Sequence, residues 1–185
     1  GQWRFNSTTG KFEGRNATAF VALEADPSVS AVSPTEVQSE AGGNQTFTIT
    51  GANFFTGAVA KFVSNNGTTI TASSTTIDSS TQITAVIAKS SFVNAQEPYD
   101  VKVVSAANKE GILENQINVD NAPSWTTASG NIADIQEGAT GNHCTVAATD
   151  PEGDTVAYSE TGGTVLASNN LTLDSSTGVI SGDPT

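Results

Sequence analysis

Residues 46–50 read TFTIT, a strict alternation of hydroxyl and apolar side chains. A period of two puts Phe47 and Ile49 on one face of an extended strand and the threonines on the other. Similar short runs recur at 58–63, 70–77, 82–87 and 100–104. Turn formers punctuate the intervals, as at Asn65, Asn66 and Gly67. No stretch sustains helical periodicity. The 185 residues include 20 Ser and 26 Thr. Thr favours strands and Ser favours turns, so the fold class is all-β, of an extracellular type. An apolar content of 36% suffices for thin two-sheet sandwiches.

The punctuation divides the chain into three. Residues 1–26 carry Trp3 and Phe5 in alternation, a turn over Ser7 to Gly10, then Phe12 and Phe20: a short β-hairpin segment. A lone hairpin is marginal in water, so this piece is expected to pack on something else. Residues 27–120 hold about seven short strands, the pattern of an immunoglobulin-like sandwich. In it, Val29, Ala31 and Val32 sit in the first strand, residues 51–57 form a turn, Phe54 faces the core and Phe55 faces outward. Residues 121–185 open on Ala122 and Pro123, a linker signature, with Trp125 expected in the core beyond it. At about 65 residues this last sandwich is shorter than the roughly 100 of a complete one, so its final strands are expected to be missing. The whole reads as tandem immunoglobulin-like β-sandwiches behind a hairpin segment.

Seven Lys and Arg against 19 Asp and Glu give a net charge of −12. Nucleic acid is not an expected partner, because a phosphate-binding surface needs clustered cations. Anionic membrane surfaces are disfavoured for the same reason. The charge is uneven: all seven bases lie before residue 110, and residues 110–185 hold 11 acids and no Lys or Arg. Such a segment is either a solvated acidic surface or is compensated by bound cations. One cysteine rules out a disulfide framework and a multi-thiolate metal site. No apolar run reaches the roughly 20 residues of a membrane span, and no basic-then-apolar leader opens the chain. The lack of methionine points to a chain that begins inside a longer polypeptide or has lost its initiator.

Catalysis finds little footing. The only histidine, His143, precedes the only cysteine, Cys144, in an alternating run, so the two side chains point to opposite faces. Cys144 reads as a small core hydrophobe and His143 as a solvent-face residue. The protein is therefore not expected to be an enzyme. Aromatics total 6%, which argues against a sugar-binding cleft. The five Asn-x-Ser/Thr triplets, at Asn6, Asn16, Asn44, Asn66 and Asn170, are no more than this composition gives by chance.

Residues 27–34 (PSVSAVSP), 48–54 (TITGANF), 81–84 (TQIT) and 99–104 (YDVKVV) resemble the IPT/TIG immunoglobulin-like domain. Residues 120–125 (DNAPSW), 148–155 (ATDPEGDT) and 171–182 (LTLDSSTGVISG) look like a cadherin-like domain, which normally continues with two more strands. Residues 1–6 (GQWRFN), 12–14 (FEG) and 17–21 (ATAFV) resemble a short repeat of phage tail-fibre and virion proteins. The chain departs from that repeat at Arg15, at Ala17 in place of glycine and at Phe20 in place of tryptophan.

The cadherin-like resemblance implies a junctional calcium held by Asp120, Asn121, Glu137, Asp150, Glu152 and Asp154, since cadherins place calcium between modules. Hard cations take several oxygens from short acidic turns of this kind. A plain solvated acidic turn is the alternative, and no other cofactor is implied. Taken together, the resemblances imply a structural component of a phage virion: a fibre, a tail or neck appendage, or a capsid decoration. It would act as a spacer and as an assembly or host-attachment element. Its partners would be other virion proteins, copies of itself in a trimer, and host surface glycans. Trp3, Phe5, Phe12, Phe20 and Phe55 are the expected interface residues. The rivals are a bacterial secreted or cell-surface adhesin and an accessory module of a larger polysaccharide-active protein.

Overall fold

The computed structural model describes residues 2–8, 11–16, 18–23 and 25–185. The chain is nearly all β and forms two compact units, Gly1–Asp120 and Asn121–Thr185. Gly1, Thr9, Gly10 and Ala17, on which parts of the expected turn and of the tail-fibre resemblance fall, lie outside the described residues.

The first unit opens with a three-stranded antiparallel meander, β1 (Trp3–Asn6), β2 (Lys11–Arg15) and β3 (Phe20–Ala22). A two-sheet sandwich follows. One sheet runs β4 (Ser28–Ser33), β6 (Asn44–Ala52), β10 (Gln82–Ala88), β9 (Ser74–Ser79) in spatial order. The other runs β5 (Glu36–Val37), β12 (Glu110–Val119), β11 (Tyr99–Val104), β7 (Val59–Ser64), β8 (Thr69–Thr71). All pairings are antiparallel except β5 with β12.

Alternation dictates the core. Phe47 and Ile49 of β6, Ala60 and Phe62 of β7, Ile83 and Ala85 of β10, and Tyr99, Val101 and Val103 of β11 all face inward and are buried. Phe47, Phe62 and Phe92 form a triangle with ring centroids 4.8 to 5.7 Å apart, and Tyr99 meets Phe92 edge-on at 5.0 Å. Offset and edge-on rings of this kind add to what area burial alone supplies. Phe54 is buried as expected.

Two local readings change. Val29 and Val32 are both buried although they lie three apart, because β4 is bulged between Val29 and Ala31 and the extra residue, Ser30, bonds the Thr50 carbonyl. Gly51, expected in a turn, lies inside β6. A Cβ there would come within 1.8 Å of the Ser28 carbonyl oxygen, so only glycine lets β4 approach at this point.

The second unit is thinner. β13 (Ser124–Trp125) pairs with β15 (Ala148–Thr149). A three-stranded sheet runs β14 (Gly141–Thr145), β17 (Val179–Gly182), β16 (Leu171–Leu173). One short helix, α1, spans Val165–Ser168. Among the described residues, Leu171 is the unit's one buried hydrophobic side chain. Trp125 is not core: it is 64% exposed. Its strand is two residues long and pairs with a strand just as short, so neither builds a layer that would close over the ring. The indole instead meets Tyr158 at 6.0 Å and borders an open cavity of about 270 Å³ that Ile132 and Val146 also line. Cys144 is half-buried rather than core. A bulge between Asn142 and Cys144 breaks the alternation at His143, whose Nε2 lies 3.1 Å from the Gly182 carbonyl oxygen.

Candidate functional site

The meander brings three of the expected interface residues together. Its register sets Phe5 opposite Phe12 and Trp3 opposite Gly14. Side chains of facing residues share a side of the sheet, so Trp3, Phe5 and Phe12 form one row. The Phe5 and Phe12 rings meet edge-on at 5.2 Å. The Trp3 indole lies over Gly14, where a Cβ would be 3.3 Å from its ring and 3.8 Å from Leu23. Yet the row is open to solvent: Trp3 is 68% exposed, Phe5 57% and Phe12 65%, and Leu23 is exposed beside them.

The opposite side is polar, with Glu13 buried among its partners. Arg4 faces Glu13 across the strands, and its Nε donates to the Glu13 carboxylate at 2.6 Å. Asn6 Nδ2 donates to the other carboxylate oxygen at 2.8 Å. The Asn6 bond first, and then Arg4, hold the Glu13 carboxyl below its usual value. The Arg4 guanidinium sits 4.1 Å above the centre of the Phe20 ring, with that of Arg15 5.6 Å away.

Phe20 therefore does not join the aromatic row. Its partner in the register is Arg15, which puts it on the Arg4 side, half-buried beneath guanidinium groups. Phe55 is half-buried in the loop after β6 and carries interactions of its own. Of the expected interface residues, the structure brings together Trp3, Phe5 and Phe12, with Leu23 beside them. Sequence reasoning missed the Arg4, Asn6 and Glu13 cluster, although the alternation of Trp3 and Phe5 with Arg4 and Asn6 already carried it.

Of the residues implied for calcium, Asn121, Asp150 and Glu152 use their side chains in hydrogen bonds within the protein. Asn121 is buried, and both its N–H and its Nδ2 donate to the Glu152 carboxylate at 2.9 Å. Asp150 Oδ1 accepts the N–H groups of Glu152 at 2.9 Å and Asp154 at 3.2 Å, which shapes the turn. Glu137 and Asp154 are exposed. Asp120 closes the first unit, where its N–H donates to the Val37 carbonyl. It lines a polar cavity of about 360 Å³ with Glu36, Gln38, Gln45 and Lys89. Among the described residues, no three His, Cys, Asp or Glu side chains are grouped so as to hold a metal ion. Among them also, no helix is long and apolar enough to cross a membrane.

What the meander offers is therefore a surface: a flat apolar face on a sheet whose other side is satisfied internally. Comparison with known proteins bears on the sandwich beside it. A model of the IPT/TIG domain matches residues 27–133. No curated protein matches the chain.

Proposed function

Since the chain belongs to the IPT/TIG domain family over more than half its length, a non-catalytic immunoglobulin-like module of structural or adhesive type, we propose that it is a spacer and assembly element of a phage virion. The observation that carries this reading is the meander, whose residues resemble the tail-fibre repeat and whose face of Trp3, Phe5 and Phe12 is exposed. A sandwich supplies a stiff, chemically inert body. Open sheet faces and edge strands supply contacts to other virion proteins, to copies of the chain and to the host surface.

A bacterial surface adhesin would use the same modules, so the two readings part on location. Gold-labelled antibody against this chain, imaged on purified particles from the source lysate, decides between them. Label at a fixed site on the particles supports the virion role. Label on cell surfaces and none on particles overturns it and leaves the adhesin.

A further inference from the structure

We infer that the cavity beside Trp125 is a docking site for an arginine side chain presented by a basic segment of a partner protein. The inference goes beyond the role proposed above and holds equally for a particle or a cell surface.

Three observations select this occupant. The first is the ring. Trp125 is 64% exposed, and its indole meets Tyr158 at 6.0 Å on the border of the cavity. A large aromatic face left open to water attracts cations, indole more than the other rings. Guanidinium suits it better than ammonium, being planar and more weakly hydrated. The chain already makes this pairing once, where the Arg4 guanidinium lies 4.1 Å above the centre of the Phe20 ring.

The second is shape. The cavity of about 270 Å³ falls short of the roughly 300–1,000 Å³ of a pocket that encloses a small-molecule ligand. Its size is that of one long side chain. Besides the indole, its walls include Ala128, Ile132 and Val146. Such walls take the methylene stem of an arginine while the charged head stays at the wet rim.

The third is charge. Residues 121–185 hold eight Asp and Glu and no Lys or Arg. Two of these acids adjoin the cavity along the chain. Asp134 stands two residues beyond Ile132, and Asp150 directly follows β15, the strand that pairs with Trp125. Neutral groups bond both: Asn131 Nδ2 donates to Asp134 at 2.7 Å, and the N–H groups of Glu152 and Asp154 donate to Asp150. A neutral donor leaves a carboxylate its charge, so the field here draws in a cation and repels a phosphate or a carboxylate. The acids set that field; the ring and the apolar walls make the site.

Titration of the whole chain with a capped pentapeptide of alternating glycine and arginine, followed by NMR at the Trp125 indole N–H, tests this. The expected result is a saturable shift of that signal while the Trp3 indole stays in place. The same peptide with citrulline for arginine keeps the shape and loses the charge, and should bind at least tenfold more weakly. Affinity should fall severalfold between about 0.01 and 0.15 M salt, as the screening length drops from roughly 30 to 8 Å. Trp125→Leu, read at the Ile132 and Val146 backbone N–H signals, should cost at least tenfold. Trp125→Phe keeps a ring and should retain part of the affinity, which separates loss of the ring from loss of the fold. A Trp125 signal unmoved at millimolar peptide overturns the inference. So does a citrulline peptide that binds as well, or binding that Trp125→Leu leaves intact. A shift given by a neutral oligosaccharide but not by the arginine peptide overturns it too, and assigns the cavity to a glycan. None of these outcomes changes where antibody labels, so the two proposals fail separately.

Discussion

The Tyr99 hydroxyl exchanges hydrogen bonds with a single residue: it accepts the Val93 N–H at 2.6 Å and donates to the Val93 carbonyl at 3.1 Å. Tyr99 begins β11 and its ring meets Phe92 edge-on, so this exchange ties the loop before β11 to the aromatic core. Tyr99→Phe keeps the ring and removes the exchange. It should destabilise the sandwich by about 1–3 kcal/mol, since the Val93 groups lose their partner in a partly buried site. Urea unfolding of the two proteins measures the difference.

Tyr99 also sets an alkaline limit. Burial pushes its phenol above the ordinary value of 10.0. A group whose folded value is raised contributes fully below the unfolded value and loses that contribution as pH climbs through the folded one. The sandwich should therefore lose stability above about pH 10, and Tyr99→Phe should flatten that loss. A series of thermal melts from neutral to strongly alkaline pH follows it.

Gly51→Ala should be among the costliest single changes in the first unit. The new methyl group would come within 1.8 Å of the Ser28 oxygen and 2.6 Å of the Phe54 ring. The ring can move; the backbone of β4 cannot without giving up its register. A loss of about 3 kcal/mol or more is expected, read as a fall in the urea midpoint.

Glu152→Ala should act on the second unit. The carboxylate holds both the N–H and the side-chain amide of buried Asn121. Bonds to a charged acceptor are worth about 1.5–3 kcal/mol, so a loss of about 2 kcal/mol is expected. Calorimetry should show the lower-melting transition move while the sandwich transition stays in place.

The meander has an acidic limit. The Glu13 carboxyl is held below the 4.5 of a free glutamate, by Asn6 first and then by Arg4. A lowered folded value contributes above the unfolded value and is lost as pH falls through the folded one. The meander should loosen as pH falls below 4.5, and Glu13→Gln should loosen it at neutral pH. Chemical shifts of the Arg4 Nε–H group report both.

The sandwich was legible because its strands alternate: Phe47 with Ile49, Ala60 with Phe62, and Tyr99 with Val101 each reveal a buried face from spacing alone. Where a bulge intervenes the rule fails, as at Ser30 and His143, because an extra residue shifts which face comes next. That Phe20 lies on the other side from Trp3, Phe5 and Phe12 was not legible, because its side of the sheet depends on register. That register is set by the turn in which Asn16 accepts the N–H groups of Thr18 and Ala19, not by the residue's own neighbours. Trp125 was misjudged because a linker followed by a large aromatic usually announces a covering layer, and a two-residue strand supplies none. The pairing of Asn121 with Glu152, 31 residues apart, leaves no periodic trace.

The uneven distribution of buried side chains has a mechanical meaning. All the buried hydrophobics but Leu171 lie in the first unit, among the described residues. Pulled from its two ends, the chain should give way first in residues 121–185, while the sandwich holds. About 65 residues unravelling at roughly 3.4 Å each would release on the order of 220 Å of slack. Force spectroscopy should record a low-force extension of that size before a higher peak from the sandwich; the reverse order would show that strength does not follow burial here. A chain built this way should answer a sudden load by lengthening before its sandwich is strained.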